Sequence, residues 1–305
     1  MKNLNNAILG LLIIVLGMGV VYAGDGQVDI AIVPYTISQP GSYIVTRDLT
    51  LAALDSSGII ITTSGVTLDL NGHTIKGPGK AVGTGHGIEV VTSVYNIAIR
   101  NGTVRDWGYF GIYCRTTYNS QFETLQCYNN GLSGLVTGYN SIVSGNICSY
   151  NGWNGILGGE NSIISNNTCN YNEEDGICSV RESFDIFARG CLISGNTCCD
   201  NTHNGIGIYR SSRVTNNVCR NNGIAGINVV LYDGLDNDIE HNLVTSNAQG
   251  ISCNPATGSF IASNRASGNT TTDYDIVAGN IWGTIINMTG GGAISTTDPY
   301  ANFRF

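Results

Sequence analysis

The sequence predicts an all-β fold, a single-domain right-handed parallel β-helix of about nine or ten coils of about 21 residues each. Three observations support this prediction. Cysteines recur with a period of 21 residues, an asparagine stands three residues after each of them, and a glycine followed by an aliphatic residue begins seven residues after. Units this short cannot bury their apolar side alone, so they must stack on one another.

The first residues have the pattern of an export signal. Lys2 precedes an apolar run from Ile8 to Val21 that ends at the small residue Ala23, which is typical of a signal peptide over residues 1–23. The alternative is an uncleaved anchor helix, but the run is shorter than the roughly 20 apolar residues that a bilayer span needs. We therefore expect a secreted, periplasmic or cell-surface protein with no membrane span after cleavage.

The rest of the chain divides into a lead-in, the coils and a tail. Residues 24–70 are predicted to form an N-terminal cap with lead-in strands, because the end of a solenoid exposes unpaired edges. The coils are predicted over 71–280, and the pattern-breaking tail over 281–305 is predicted to cap the last coil. A β-propeller or sandwich is the rival architecture, but the chain has no regular hairpin-turn alternation between strand pairs.

Two sets of residues are predicted to form ladders along the stack. Equivalent side chains lie one above another in stacked coils, and asparagine amides can both donate to and accept from the neighbouring coils. The predicted ladder residues are Cys127, Cys148, Cys169, Cys198 and Cys219, with Asn151, Asn172, Asn201 and Asn222.

Composition limits the partners. The formal net charge is −8 with only 14 lysines and arginines, which leaves no electrostatic footprint for nucleic acid. A polyanionic polysaccharide would also be repelled unless a basic patch or bound Ca²⁺ reversed the local charge. No cofactor is indicated with certainty, and calcium is the ion that acidic loops could hold.

Three early segments carry a family resemblance, at 65–75, 87–90 and 96–104: GVTLDLNGHTI, GIEV and NIAIRNGTV. They resemble the opening of right-handed parallel β-helix repeat proteins of the pectate-lyase-like superfamily. The chain is most similar to the carbohydrate-binding and sugar-hydrolase type, which includes periplasmic copper-binding accessory proteins of nitrous oxide reductase. This resemblance implies the fold, whereas the activity stays open because the superfamily includes lyases, hydrolases, epimerases, adhesins and structural proteins.

Ten cysteines in an exported chain would ordinarily suggest disulfides. In one column, however, neighbouring Cβ atoms would lie about 4.8 Å apart, which is wider than a relaxed disulfide allows. The column cysteines are therefore expected to be buried free thiols, and the off-column residues Cys178, Cys191 and Cys199 to pair or be exposed. A soft-metal thiol ladder is the alternative, although no CxxC spacing appears.

Two insertions leave the same corner of the coil, between Cys169 and Cys198 and between Cys219 and Val244. Carboxylates beside arginines could bind Ca²⁺ or perform acid–base work on a sugar. The alternative is a solvated charged loop. The catalytic candidates here are Arg181, Glu182, Asp185, Arg210, Asp233 and Asp236.

A second candidate site is aromatic. Strand alternation directs Ile112 and Cys114 inward and Tyr113 outward, so nearby rings could stack on sugars. The alternative is that these rings only shield the interior of a wide coil from solvent. The ligand-binding candidates are Trp107, Tyr109, Tyr113, Arg115 and Tyr232, with Tyr118 beside them.

The Gly85-His86-Gly87 segment looks like the histidine motif of polygalacturonases, but the partner motifs are absent. No catalytic role is assigned to His86 on that basis.

These observations favour an exported protein that binds, and could process, carbohydrate at the cell surface or in the periplasm. The first alternative is a structural or adhesive envelope protein, which self-association would suit. The second is a polysaccharide lyase or glycoside hydrolase. The sequence leaves open whether the protein is an enzyme.

Overall fold

The computed structural model describes residues 26–181, 186–230 and 234–305. The predicted signal peptide lies outside these residues. The strands, in chain order, are β1 (Val28–Ile30), β2 (Tyr35–Ile37), β3 (Gly41–Val45), β4 (Leu49–Thr50), β5 (Ile59–Ile61), β6 (Val66–Asp69), β7 (Thr74–Lys76), β8 (Ile88–Val90), β9 (Val94–Tyr95), β10 (Ile97–Arg105), β11 (Ile112–Tyr113), β12 (Thr117–Tyr118), β13 (Gln121–Tyr128), β14 (Leu135–Val136), β15 (Ile142–Ser144), β16 (Ile147–Ser149), β17 (Ile156–Leu157), β18 (Ile163–Ser165), β19 (Thr168–Asn170), β20 (Ile177–Cys178), β21 (Val180–Arg181), β22 (Ile186–Phe187), β23 (Leu192–Ser194), β24 (Thr197–Cys199), β25 (Ile206–Ile208), β26 (Arg213–Thr215), β27 (Val218–Arg220), β28 (Ala225–Val229), β29 (Asp238–Glu240), β30 (Leu243–Thr245), β31 (Gln249–Cys253), β32 (Phe260–Ala262), β33 (Arg265–Ser267), β34 (Thr272–Ile276), β35 (Ile281–Trp282), β36 (Ile285–Asn287) and β37 (Asn302–Arg304).

Two long parallel sheets run the length of the molecule. Sheet 1 has 11 strands, β2-β5-β8-β11-β14-β17-β20-β25-β28-β31-β34, and sheet 2 has 22, two from a typical coil. Each strand pairs in parallel with its equivalent one coil away, as β14 does with β17 and β16 with β19. The predicted parallel β-helix is therefore confirmed, and the hairpin-built rival architectures are excluded.

The predicted cysteine column lies in the core. Cys127 pairs in register with Cys148, Cys148 with Cys169, Cys169 with Cys198, and Cys198 with Cys219. All five side chains are fully buried, and none forms a disulfide. They fill the space that aliphatic residues such as Val104 and Val244 fill in other coils, as expected of a thiol acting as a small apolar group.

The off-column cysteines do not behave as the sequence suggested. Cys178, Cys191 and Cys199 are all buried, and Cys191 and Cys199 form no disulfide. The expectation of exposure is therefore wrong for all three, and the expectation of pairing is wrong for Cys191 and Cys199. Cys191 occupies a position held by serine in the neighbouring coils, where its thiol lies 3.3 Å from the carbonyl oxygen of Gly159.

Asparagine amides form two ladders beside the core. Asn172 shows the repeated pattern: its Oδ1 accepts from the backbone N–H and the Nδ2 of Asn151, at 3.2 and 3.0 Å. Its own Nδ2 donates to the Cys148 carbonyl and to Asn201 Oδ1, at 3.1 and 2.9 Å. The ladder through this residue comprises Asn130, Asn151, Asn172, Asn201, Asn222, Asn247 and Asn269, and the second comprises Asn146, Asn167, Asn196, Asn217, Asn242, Asn264 and Asn302.

The left-handed corner residue is not the ladder asparagine but the residue before it. This position has φ between 54° and 58° in successive coils, in Asn129, Tyr150, Tyr171, Asp200 and Asn221. Asparagine and aspartate tolerate this backbone region better than other non-glycine residues. The turn therefore leaves the next asparagine free to point inward and join its ladder.

The chain ends participate in the sheets. Strands β1 and β3 pair in parallel with each other, and β3 pairs with β6. At the other end β37 inserts between β33 and β36. Among the residues described, no helix is long and apolar enough to cross a membrane.

Candidate functional site

The outer face of sheet 1 carries a continuous row of side chains that the cysteine period did not reveal. One residue in each coil stands directly before the glycine that opens the sheet 1 strand. Successive coils supply Ser57, His86, Phe110, Ser133, Asn154, Asp175 and Asn204, which we call the pre-glycine column. Several members accept a hydrogen bond from the backbone N–H of the member in the next coil, as His86 Nδ1 does from Phe110 at 3.3 Å and Asp175 Oδ1 from Asn204 at 2.8 Å.

The N-terminal part of this face is an aromatic and acidic cluster around His86. Its imidazole stacks on Tyr113 and Phe110, with ring centroids 5.2 and 5.5 Å apart. Tyr109 and Trp153 extend the cluster, since Tyr109 lies 5.7 Å from His86 and Trp153 lies edge-on to Phe110 at 6.0 Å. This places aromatic rings from three of four successive coils on one surface.

The acidic member of the cluster is Glu89. Its Oε2 accepts a 2.6 Å hydrogen bond from Ser57 Oγ, and its Oε1 lies 3.9 Å from His86 Nε2. Burial lowers the pKa of His86, and the neighbouring Glu89 carboxylate opposes that effect. Because Nδ1 accepts the Phe110 N–H, the neutral imidazole carries its proton on Nε2, the nitrogen that faces the carboxylate.

Polar side chains continue the column towards the C-terminal end. Asp175 is buried, and its Oδ1 accepts from the backbone N–H and Nδ2 of Asn204 at 2.8 and 2.9 Å. Burial raises the pKa of Asp175, while hydrogen bonds from Asn204 and Cys178 oppose the rise. Gly207 makes room for this carboxylate, since a Cβ at that position would lie 2.7 Å from Asp175 Oδ2.

Three buried atoms of this column have no hydrogen-bond partner among the residues that the structure describes. They are Ser133 Oγ, Asn154 Nδ2 and Asn204 Oδ1. Such atoms are rare in folded proteins and indicate places where a water molecule or ligand group completes the bonding. Aromatic faces beside unused polar groups are suited to molecules with apolar ring faces and many hydroxyls.

The structure separates the aromatic residues that the sequence grouped together. Tyr113 and Tyr109 belong to the cluster, and Tyr109 is 40% exposed. Trp107 does not, because its indole lies in the core at 0% exposure and donates from Nε1 to the Ile75 carbonyl at 3.2 Å. This corrects the expectation that Trp107 offers a stacking surface. Tyr118 lies at another corner, where it stacks between Tyr95 and Tyr139.

Arg115 follows β11 and is partly exposed, and its role as a ligand contact stays a prediction.

The charged insertions are only partly described. Glu182, Asp185, Tyr232 and Asp233 lie outside the described residues, and Arg181 ends the short antiparallel strand β21. The Arg210 guanidinium lies 5.9 Å from the centroid of the Tyr209 ring, and Asp236 adopts a positive φ of 58°. No group of three or more potential metal ligands occurs within 26–181, 186–230 and 234–305. The catalytic candidates and the calcium site therefore remain predictions.

Sequence reasoning missed Glu89, Asp175 and Trp153 as members of one surface. A signal existed, because the position six residues after Cys127, Cys148, Cys169 and Cys198 reads Ser133, Asn154, Asp175 and Asn204, and only the alanine at this position after Cys219 breaks this polar pattern. The 21-residue period does not show which way a side chain points at a corner of the coil, because the alternation of side chains holds only within a strand.

Residues 86–244 match the family described as the right-handed β-helix region. No curated protein matches the sequence. The chain is similar in structure to the A-module of mannuronan C-5 epimerase AlgE6 from Azotobacter vinelandii, with a TM-score of 0.65 and 15% identity over 91% of this chain and 87% of that one. The AlgE4 A-module from the same organism is similar with a TM-score of 0.61 and 15% identity, over 92% of this chain and 83% of that one. A mutant form of the periplasmic alginate epimerase AlgG is similar with a TM-score of 0.52 and 13% identity, over 74% of this chain and 70% of that one. At these identities the likeness establishes the fold alone.

Proposed function

Because this chain belongs to the right-handed β-helix family, we propose that it is an exported protein that binds carbohydrate along the outer face of sheet 1. Export rests on the predicted signal peptide of residues 1–23. The periplasm or cell surface is the proposed location.

The observation that carries this proposal is the continuity of the pre-glycine column with the aromatic cluster. Stacked coils repeat at about 4.8 Å, so a chain molecule laid along the rod meets an equivalent position in each coil. It would pass from the rings around His86 over the coils of Asn154 and Asn204, whose buried Nδ2 and Oδ1 would have to turn outward to bond it. Sugar rings use both kinds of contact, through their apolar faces and their hydroxyls.

The solved structures reported above support a polysaccharide as the ligand class, since their names describe epimerases of mannuronan and alginate. The charge of this chain favours a different sugar. Its formal net charge is −8, and both Glu89 and Asp175 lie on the proposed surface. We therefore propose that neutral glycans bind better than uronate polymers unless Ca²⁺ screens the carboxylates.

Turnover of the bound glycan is the second candidate function. The arrangement that favours it is His86 Nε2 facing Glu89, with Tyr113 stacked on the imidazole. The Glu89 carboxylate is the group that could accept a proton from a substrate, because His86 Nδ1 already accepts the Phe110 N–H and its Nε2 carries the proton that faces Glu89. A structural or adhesive role is the remaining alternative and predicts neither binding nor products.

The test is calorimetric titration of neutral and acidic oligosaccharides, with and without Ca²⁺, followed by analysis for new products. Tyr113→Ala should weaken binding by about tenfold, or about 1.4 kcal/mol, because it removes a ring from the centre of the cluster. Tyr139→Ala is the matched control, since Tyr139 is 42% exposed and stacks on Tyr118 at a different corner. Binding that is lost equally in both variants, or absent for every glycan, would refute the proposal.

A further inference from the structure

The C-terminal end of the core is open. Trp282 pairs in register with Ile261, whose side chain is fully buried together with Ile239, Val214 and Ile193 in the coils before it. Trp282 continues that core column but is 43% exposed. A solenoid normally covers its last apolar layer with a polar cap, and the described residues cover this indole only in part.

The backbone at this end is also unpaired. Strand β35 pairs only with β32, and β36 only with β37, among the residues that the structure describes. Ile281 donates to the Ser259 carbonyl just before β32, and Gly283 donates to the Ile261 carbonyl within it. Asn302 donates to the carbonyl of Thr284. Alternation in a parallel ladder therefore directs the N–H and C=O groups of Trp282, Ile285 and Asn287 towards the open edge.

This edge lacks the features that keep edge strands from pairing. Residues 276–297 contain no charged residue and no proline, which are the usual protections of an exposed edge. The other solenoid edges have such protection. Strand β1 carries Asp29, Pro34 and Pro40 flank β2, and β34 carries Asp273 and Asp275.

We propose that the last coil is a homodimer interface, in which β35 and β36 pair with the same edge of a second copy across a two-fold axis. A two-fold axis makes the two edges antiparallel, so each supplies the donors and acceptors that the other lacks. The two strands carry no charged side chain of their own, and the carboxylate beside them, Asp298, accepts a hydrogen bond from the Thr284 N–H. Pairing of this edge with the N-terminal end of another copy would instead place it against Asp29 and the flanking prolines.

Exposed apolar side chains lie on the two strands of this edge, namely Ile281, Trp282 and Ile285. Large exposed hydrophobic residues concentrate in the last 25 residues: Ile281, Trp282, Ile285, Ile294, Tyr300 and Phe305. Apolar area removed from water favours association at about 25 cal/mol per Å² before the entropic cost of dimerisation. The proposal is independent of sugar binding, because sheet 1 ends at β34 and contributes no strand to this edge.

The experiment is light scattering coupled to size-exclusion chromatography across a dilution series of the full mature chain. Wild type should have the mass of a dimer, and Ile285→Lys should raise the dimer dissociation constant at least tenfold by placing like charges opposite each other. Ile142→Lys is the control, because Ile142 is exposed to a similar degree, 37% against 36%, on a coil far from the end. Circular dichroism of both variants checks that each is folded.

Hydrogen exchange supplies an independent measurement. In the dimer the amides of Trp282, Ile285 and Asn287 should be protected, and the protection should be lost on dilution and in Ile285→Lys. A monomeric wild type at every concentration would overturn the proposal, whether or not these amides are protected. Mass that grows without limit would overturn it too, because head-to-tail pairing does not close.

Discussion

At the scale of single residues, several of the buried thiols show how burial affects chemistry. Desolvation raises the pKa of Cys198 and Cys219 well above the ordinary value of 9.0, and raises that of Cys253 to about 12 and that of Cys191 to about 11. A thiol without a thiolate is a poor nucleophile and metal ligand. These cysteines therefore act as small apolar residues rather than as reactive groups.

This burial predicts loss of stability at alkaline pH. In the unfolded chain the thiols ionise near pH 9, whereas in the folded protein they keep their protons to higher pH, so the unfolded state is favoured as pH rises above 9. Each such thiol should lower the free energy of unfolding by up to about 1.4 kcal/mol per pH unit between 9 and its folded pKa. Urea denaturation from pH 8 to 11 measures the slope.

Cys253→Ala provides the control for that measurement. The variant should lose less unfolding free energy with rising pH than wild type, by about 1.4 kcal/mol per pH unit, because it removes one buried acid that binds one proton. A free energy of unfolding that stays constant to pH 11 would show that the thiols are not buried as described. So would alkylation of the column cysteines at equal rates in buffer and in urea.

At the scale of coils and ladders, most of the architecture could be predicted from sequence. Register follows from the positions of Cys127, Cys148 and Cys169, because equal spacing in a closed coil places equal side chains above one another. The site could not be predicted in the same way. Trp107 and Tyr113 are close in sequence but one lies in the core and one on the surface, since direction at a corner depends on local backbone geometry. Asp175 was missed because it occupies an asparagine or serine position as a single substitution.

The asparagine ladders should be strongly stabilising as continuous elements. Asn172→Leu would leave the backbone N–H and Nδ2 of Asn151 without their acceptor, and each orphaned buried group costs about 1–3 kcal/mol. The free energy of unfolding should fall by about 2–5 kcal/mol in urea denaturation. Asn140→Gly is the control, because it removes an exposed amide at a corner with φ of 53° that glycine also accepts. Equal losses in the two variants would contradict a special role for the ladder.

At the scale of the whole molecule, the solenoid separates structure from recognition. The interior is filled by cysteine, aliphatic and asparagine side chains. The row of Ser57, His86, Phe110 and Asn154 stands directly before the sheet 1 strands, where Ser57, Phe110 and Asn154 are buried and His86 stacks on Tyr113. Single substitutions of outward-facing residues can therefore change which ligand is recognised without changing the register of the stacked strands. The C-terminal end adds a second surface, which pairs copies without covering that row.

The most direct measurement is a crystal structure of the mature protein soaked with a neutral oligosaccharide. The account predicts sugar rings along the outer face of sheet 1, with one ring stacked on Tyr113 and the chain running towards Asn204. Sugar bound instead at the Tyr95, Tyr118 and Tyr139 stack, or no bound sugar at saturating concentration, would contradict it.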